Sequence, residues 1–227
     1  MKSKTMGKMV VDLGMTVLLM LLMAYELIGR TVHEWIGMWM FVLFILHHIL
    51  NRNWSKNLLR RKYPPLRILQ VISAGLVLLT MLGSMISAVL ISRTVFSFLP
   101  VSGGREFGRT LHMLSAYWGL VFLSLHLGIH WNTFMGMAGR LCGKPSRLRR
   151  IVLRVLGACV ALYGIYAFIS RGIPGYLFFQ TQFVFFDFEE PLFFFFLDYL
   201  AVMGLFIWAG HYLASAVRLL QKGEADR

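Results

Sequence analysis

Acidic residues are scarce in this chain. Ten Asp and Glu stand against 23 Lys and Arg, a formal net charge of +13 over 227 residues. The carboxylates that fall in apolar runs, Asp12, Glu26, Glu34 and Asp198, sit in the terminal thirds of those runs. That placement argues against an ion path, which needs charged groups near the bilayer centre. Cysteine is scarcer still, with only Cys142 and Cys159. No C-x-x-C-H occurs, which excludes a covalently attached c-type heme. Cys142 lies in a basic stretch and Cys159 in an apolar run, so no disulfide is expected between them. Dinucleotide fingerprints are absent, and no stretch outside the apolar runs is long enough to hold a flavin domain. Substrate chemistry beyond electron or quinol handling would therefore belong to a partner. The six prolines, at 64, 65, 100, 145, 174 and 191, all fall outside or at the edge of the apolar runs. Proline removes a backbone hydrogen bond inside a helix, so these positions mark boundaries.

What the chain has is hydrocarbon. Hydrophobic residues make up 58% of it and the mean hydropathy is +0.67. A soluble core cannot absorb so many apolar residues in runs of about twenty, and a membrane can. Six runs stand out, at 9–28, 31–50, 66–92, 107–131, 151–170 and 192–217. The first is too long, and its downstream end too poor a cleavage site, for a signal peptide. Apolar spans of this length predict helices, so the fold class is all-α: a polytopic membrane protein with six transmembrane helices.

The excess of positive charge reads as topology rather than as nucleic-acid binding. With six spans, the N-terminal tail, the loops after spans two and four, and the C-terminal tail share one side. Those segments, with Arg67 and Arg154 at the starts of the spans that follow them, hold eighteen of the 23 Lys and Arg. The other side holds Arg30, Arg93, Arg105, Arg109 and Arg171. The positive-inside rule then puts both termini in the cytoplasm and the chain in the inner, cytoplasmic membrane.

Two runs carry a matching histidine pattern. In T-V-H-E-W-I-G-M-W-M-F-V-L-F-I-L-H-H-I-L-N, His33 is followed fourteen residues on by His47. In R-T-L-H-M-L-S-A-Y-W-G-L-V-F-L-S-L-H-L-G-I-H-W, His112 is followed fourteen residues on by His126. Fourteen helical residues rise about 21 Å and return to within about 40° of the same face. Spans two and four run in the same direction, so His33 and His112 share one depth, and His47 and His126 another. That arrangement suits two bis-histidine b hemes, each iron held by one imidazole from each helix. A single membrane histidine is as readily a packed polar residue, but two helices with the same spacing and matched depth are not easily coincidental.

Other residues are secondary candidates. Gly119, midway between His112 and His126, and Gly37, one turn after His33, would leave room for porphyrin edges; glycine is also simply frequent in membrane helices. Arg30 and Arg109 lie three residues before the outer histidines and could pair with heme propionates or snorkel to the interface. His130, one turn past His126, could meet a propionate or a quinone, or sit among headgroups. His48 points about 100° away from His47 and gives a spacing of fifteen, so His47 is the better match and His48 the alternative. His211 has no partner at matched spacing and reads as structural. The segment 171–191, rich in aromatics and ending in acids, reads as an outer interfacial stretch.

At these residues the sequence resembles the flavinylation-associated cytochrome family, small prokaryotic membrane proteins. The likeness is carried by H-E-W-I-G, by a second histidine before I-L-N-R-N-W, by F-S-F-L-P-V-S-G-G, and by R-T-L-H-M-L-S-A-Y-W-G followed by S-L-H-L-G-I-H-W. It covers most of residues 15–135 and continues more weakly through F-V-F-F-D-F-E-E-P and L-D-Y-L-A-V-M-G. The resemblance implies heme ligands at His33, His47, His112 and His126, with His130 also in the pattern. It implies two b hemes and electron transfer between the quinone pool and flavinylated proteins outside the membrane. Relatives often carry asparagine where this chain has His48.

The expected organisation is a di-heme four-helix bundle over 1–135, formed by spans one to four. Two further membrane helices and the aromatic segment make up 136–227. The expected partners are membrane lipid, a quinone and an extracytoplasmic flavoprotein or other redox protein, with no nucleic acid. Three other readings stay open: a cytochrome b anchor for a membrane-bound dehydrogenase or hydrogenase, a heme-free transporter or proton channel that uses its histidines directly, and a heme-independent structural anchor.

Overall fold

A computed structural model describes residues 3–58, 63–100, 103–138 and 146–225. Among these residues every regular element is a helix: α1 (Ser3–Met23), α2 (Tyr25–Leu50), α3 (Arg52–Lys56), α4 (Pro65–Ile91), α5 (Arg105–Ile129), α6 (Trp131–Ala138), α7 (Arg147–Ser170), α8 (Ile173–Leu177) and α9 (Leu192–Ala225). Six of them, α1, α2, α4, α5, α7 and α9, are long and apolar enough to cross a membrane. Large apolar side chains stay exposed along their flanks, among them Trp39, Leu79, Leu162 and Phe193. Water would penalise such surfaces, and lipid does not. The chain is thus a multi-pass membrane protein.

Helix lengths depart from the apolar runs in a consistent way. α1 ends at Met23, short of residue 28, because the backbone departs from helix at Ala24 (φ −90°, ψ 36°) while the sequence is still apolar. The kink falls at Gly29, with φ 71° and ψ 167°, a backbone shape that a side chain disfavours. α7 begins at Arg147 and α9 runs on to Ala225, where charged residues continue the helix past the apolar stretch.

Two compact units form. The first comprises Met1–Lys62 with Gly83–His112, and the second Tyr63–Leu82 with Met113–Arg227. In the first, α1 packs along α2. A methyl on Gly14 would lie 3.1 Å from Leu43 Cδ1, so the small residue sets their spacing. Two polar contacts tie the start of α1 to the end of α2: Lys8 Nζ donates to Asn51 Oδ1 at 2.9 Å, and Asp12 meets His47.

The second unit is built on glycine contacts. A side chain on Gly128 of α5 would strike the Ile207 carbonyl oxygen, and one on Gly210 of α9 the Leu125 carbonyl oxygen. Backbone therefore rests on backbone where α5 meets α9, in the manner of small-residue packing in membranes. Gly164 does the same for α7 against Ala201 of α9. The short α8 is not at the surface: Ile173, Tyr176 and Leu177 are buried. Tyr176 stacks on Tyr117 with centroids 4.5 Å apart, and Trp118 Nε1 donates to the Leu177 carbonyl at 2.9 Å. Past α8 the 171–191 stretch presents phenylalanines outward at Phe178, Phe183, Phe185 and Phe188.

Candidate functional site

In the first unit His33 of α2 and His112 of α5 come together. Their ring centroids are 5.9 Å apart and the ring planes cross at 69°. Metal–imidazole bonds of about 2 Å on either side of one ion put two ring centroids about 6 Å apart, so the separation suits an axial ligand pair. His33 also meets the edge of Tyr25, with centroids 5.1 Å apart. Its buried Nδ1 has no hydrogen-bond partner.

The nitrogens of His112 are distinguished by a neighbour on α4. Its Nδ1 lies 3.0 Å from Ser87 Oγ, and Ser87 Oγ lies 2.9 Å from the Ser84 carbonyl oxygen. A carbonyl only accepts, so the serine proton points at Ser84 and the serine oxygen accepts from the imidazole. Nδ1 therefore carries the proton, and Nε2 is the basic nitrogen of His112.

The second unit repeats this device. Ser73 Oγ donates to the Gln70 carbonyl at 3.0 Å and lies 3.1 Å from His126 Nδ1. Between the two, Thr80 faces Gly119, whose added methyl would lie 3.6 Å from Thr80 Oγ1. Thus α4 places a hydroxyl at 73, 80 and 87, each seven residues on, opposite 126, 119 and 112 of the antiparallel α5. Ser73, Thr80 and Ser87 are all buried. His130 lies beside His126, with centroids 4.7 Å apart and the ring planes tilted by 49°.

His47 has a stronger partner. Its Nδ1 is 2.7 Å from Asp12 Oδ1. An ionised carboxylate only accepts, so this nitrogen is also a donor. Asn51 covers the other side: its amide nitrogen donates to the His47 carbonyl at 3.0 Å and lies 3.4 Å from Nε2, so a ligand at Nε2 would have to turn that amide aside. His48 is exposed, and its Nδ1 donates to the Phe44 carbonyl of its own helix at 2.9 Å. The two adjacent histidines thus have different surroundings: one held by a carboxylate from α1, the other turned outward. His47 belongs to the first unit and His126 to the second.

The remaining candidates are placed as follows. A methyl on Gly37 would meet nothing within 4 Å, so its neighbourhood is open. Arg30 and Arg109 are exposed. His211 lies on α9 with its buried Nδ1 lacking a hydrogen bond. Cys159 is exposed on α7, while Cys142 lies outside the described residues. Among the described residues no group of three or more His, Cys, Asp or Glu is gathered to hold a metal ion by protein atoms alone.

Several site residues escape a reading of sequence. Asp12, in the first part of its apolar run, holds His47. Ser73 and Ser87 carry a signal, the fourteen-residue interval they share with His112 and His126, which has meaning only once α4 and α5 are known to be neighbours. Glu34, next to His33, takes an unforeseen structural part. Its carboxylate accepts from Ser92 Oγ at 2.7 Å and from the backbone N–H groups of Arg93, Thr94 and Val95 at 3.0, 2.9 and 2.9 Å. These successive donors form an anion-binding nest at the end of α4.

A second polar cluster lies in the second unit. Tyr163 Oη donates to Asp198 Oδ1, Arg171 Nε donates to Asp198 Oδ2 at 2.8 Å, and the Arg171 fork grips Glu190. The Glu190 carboxylate, against the cost of burial, holds the Arg171 guanidinium above its ordinary pKa, so the arginine stays charged. These residues line an open cavity of about 330 Å³ together with Tyr166, Ser170 and Phe194. No protein family, curated protein or solved structure matches this chain.

Proposed function

We propose that this chain is a bis-histidine di-heme b-type cytochrome that carries electrons across the membrane, from the quinol pool to an extracytoplasmic redox partner. The observation that carries the reading is the ordering of the histidines: His33 and His112 stand 5.9 Å apart, and a serine from α4 leaves Nε2 of His112 as the basic nitrogen. Metal-ligating histidines commonly donate their second nitrogen to such a partner. His33 and His112 would hold one heme. The pairing of His47 with His126 rests on the shared fourteen-residue spacing. When bound, each heme would supply reversible one-electron carriage at a potential set by its ligands and their surroundings.

The chain's own residues do the rest. The imidazoles fix position and orientation. Asp12, Ser73 and Ser87 hold the second nitrogens. Arg30 and Arg109 are available to propionates at the end of the bundle that carries His33. His130 and Trp131, just past His126, are the proposed neighbourhood for quinol, and the partner is proposed to dock at the opposite end. A flavinylated protein fits that role by family resemblance.

Single substitutions test the assignment. His33→Ala and His112→Ala should each abolish the same heme, and His47→Ala and His126→Ala the other, as read by heme content per chain and by the reduced spectrum. If His47→Ala keeps both hemes while His48→Ala loses one, the ligand on α2 is His48. Hemes in the wild type should also be reduced by a menaquinol analogue, and more slowly in His130→Ala. Wild-type rates in that variant, together with loss of reduction on changes at Arg171 or Asp198, would move the quinol site to the other end.

A further inference from the structure

Four imidazoles of the same kind have three different supports. Nδ1 of His47 is hydrogen-bonded to a carboxylate, Asp12, at 2.7 Å. Those of His112 and His126 are bonded to serine hydroxyls at 3.0 and 3.1 Å. That of His33 has no hydrogen-bond partner. The supports differ between the two proposed ligand pairs. A carboxylate stands behind one of them, at His47; the other has a hydroxyl at His112 and only neutral backbone carbonyls beside its rings, Leu22 for His33 and Ser84 for His112.

The strength of such a bond changes the ligand. A carboxylate draws on the Nδ1 proton more strongly than a hydroxyl does and leaves more negative charge on the ring. A ring with more imidazolate character donates more to iron and favours the oxidised state over the reduced one. No bond is made or broken; the proton stays between Nδ1 and its acceptor. Asp12 is itself held in place. Lys8, one turn before it on α1, is tied to Asn51, one turn after His47 on α2. This double attachment fixes the two helices where the carboxylate meets the ring.

The geometry points to Asp12 as a tuning and positioning residue that makes the heme ligated by His47 the lower-potential one of the two, with Ser73 and Ser87 as weaker tuners, one for each heme. The inference rests on the heme reading above and adds an order to it. Electron passage is downhill from the His47 end of the bundle toward the His33 end.

The test is a redox titration of the purified full chain with its hemes, read by absorbance and by the low-spin ferric EPR signal. In wild type two midpoint potentials should be resolved. Asp12→Asn should raise the lower one and leave the higher unmoved, with the EPR signal of the same heme shifting alongside. Asp12→Glu, which keeps the carboxylate, should restore the wild-type value, whereas a merely structural role would show no such recovery. Ser73→Ala should raise the same potential as Asp12→Asn, by less, and Ser87→Ala should raise the other. Wild-type protein that binds heme but in which Asp12→Asn moves neither potential, or moves the higher, overturns this inference and leaves the heme reading standing. So does a shift of the same heme by Asp12→Asn and Ser87→Ala. Wild-type protein without heme overturns both.

Discussion

Glu34 shows how much a single side chain can organise. Its carboxylate collects one hydroxyl and three backbone N–H groups from the end of α4, one residue along α2 from His33. Leaving a buried donor unmade costs about 1–3 kcal/mol. These groups are partly exposed, so Glu34→Ala should destabilise the protein by about 2 kcal/mol in total. We expect a lower midpoint in thermal unfolding in detergent and a looser hold on the heme nearest His33. An unchanged midpoint would mean water replaces the carboxylate at little cost. The approach of His33 to His112 was legible in sequence because spacing along one helix is a one-dimensional quantity. Glu34, Asp12, Ser73 and Ser87 were not, because their roles depend on which helix stands beside which.

At the scale of elements, helix contact is set by absent side chains. Gly128 and Gly210 let α5 and α9 touch through their backbones. Gly128→Ala would drive a methyl into the Ile207 carbonyl and push the helices apart, and overpacking of this kind costs about 1–3 kcal/mol. Reduced thermal stability and lower yield of folded protein are the expected readouts. Gly37→Ala provides the contrast. Its neighbourhood is open, so stability of the heme-free chain should be unchanged. If Gly37 clears space for a porphyrin edge, the same substitution should lower heme content; equal heme content would assign the glycine no such role. Hydropathy located all six long helices but missed their ends. It measures how long a segment stays apolar, whereas a helix ends where its hydrogen bonding does. The break at Ala24 lies within an apolar run, and the start of α7 and the end of α9 lie in charged ones.

For the molecule as a whole, the six long apolar helices and the skewed basic residues together predict topology. Even crossing returns the chain to the side from which it began, and eighteen of the 23 Lys and Arg lie in the segments of that side or in the helix ends adjoining them. A reporter active only in the cytoplasm should therefore work when fused after Arg227, and one active only outside should not. The reverse result would invert both ends of the proposed electron path. The all-helical membrane fold was legible in composition because lipid imposes so few solutions on the backbone. The division into two units was not, since it passes through α4 and α5 and follows packing rather than chain order. The central claim is heme itself. Purified, correctly folded protein, reduced with dithionite and quantified as its pyridine complex, should show the absorbance of b-type heme at two per chain. One heme per chain would mean that one histidine pair is misassigned, and a colourless folded protein would contradict the claim outright.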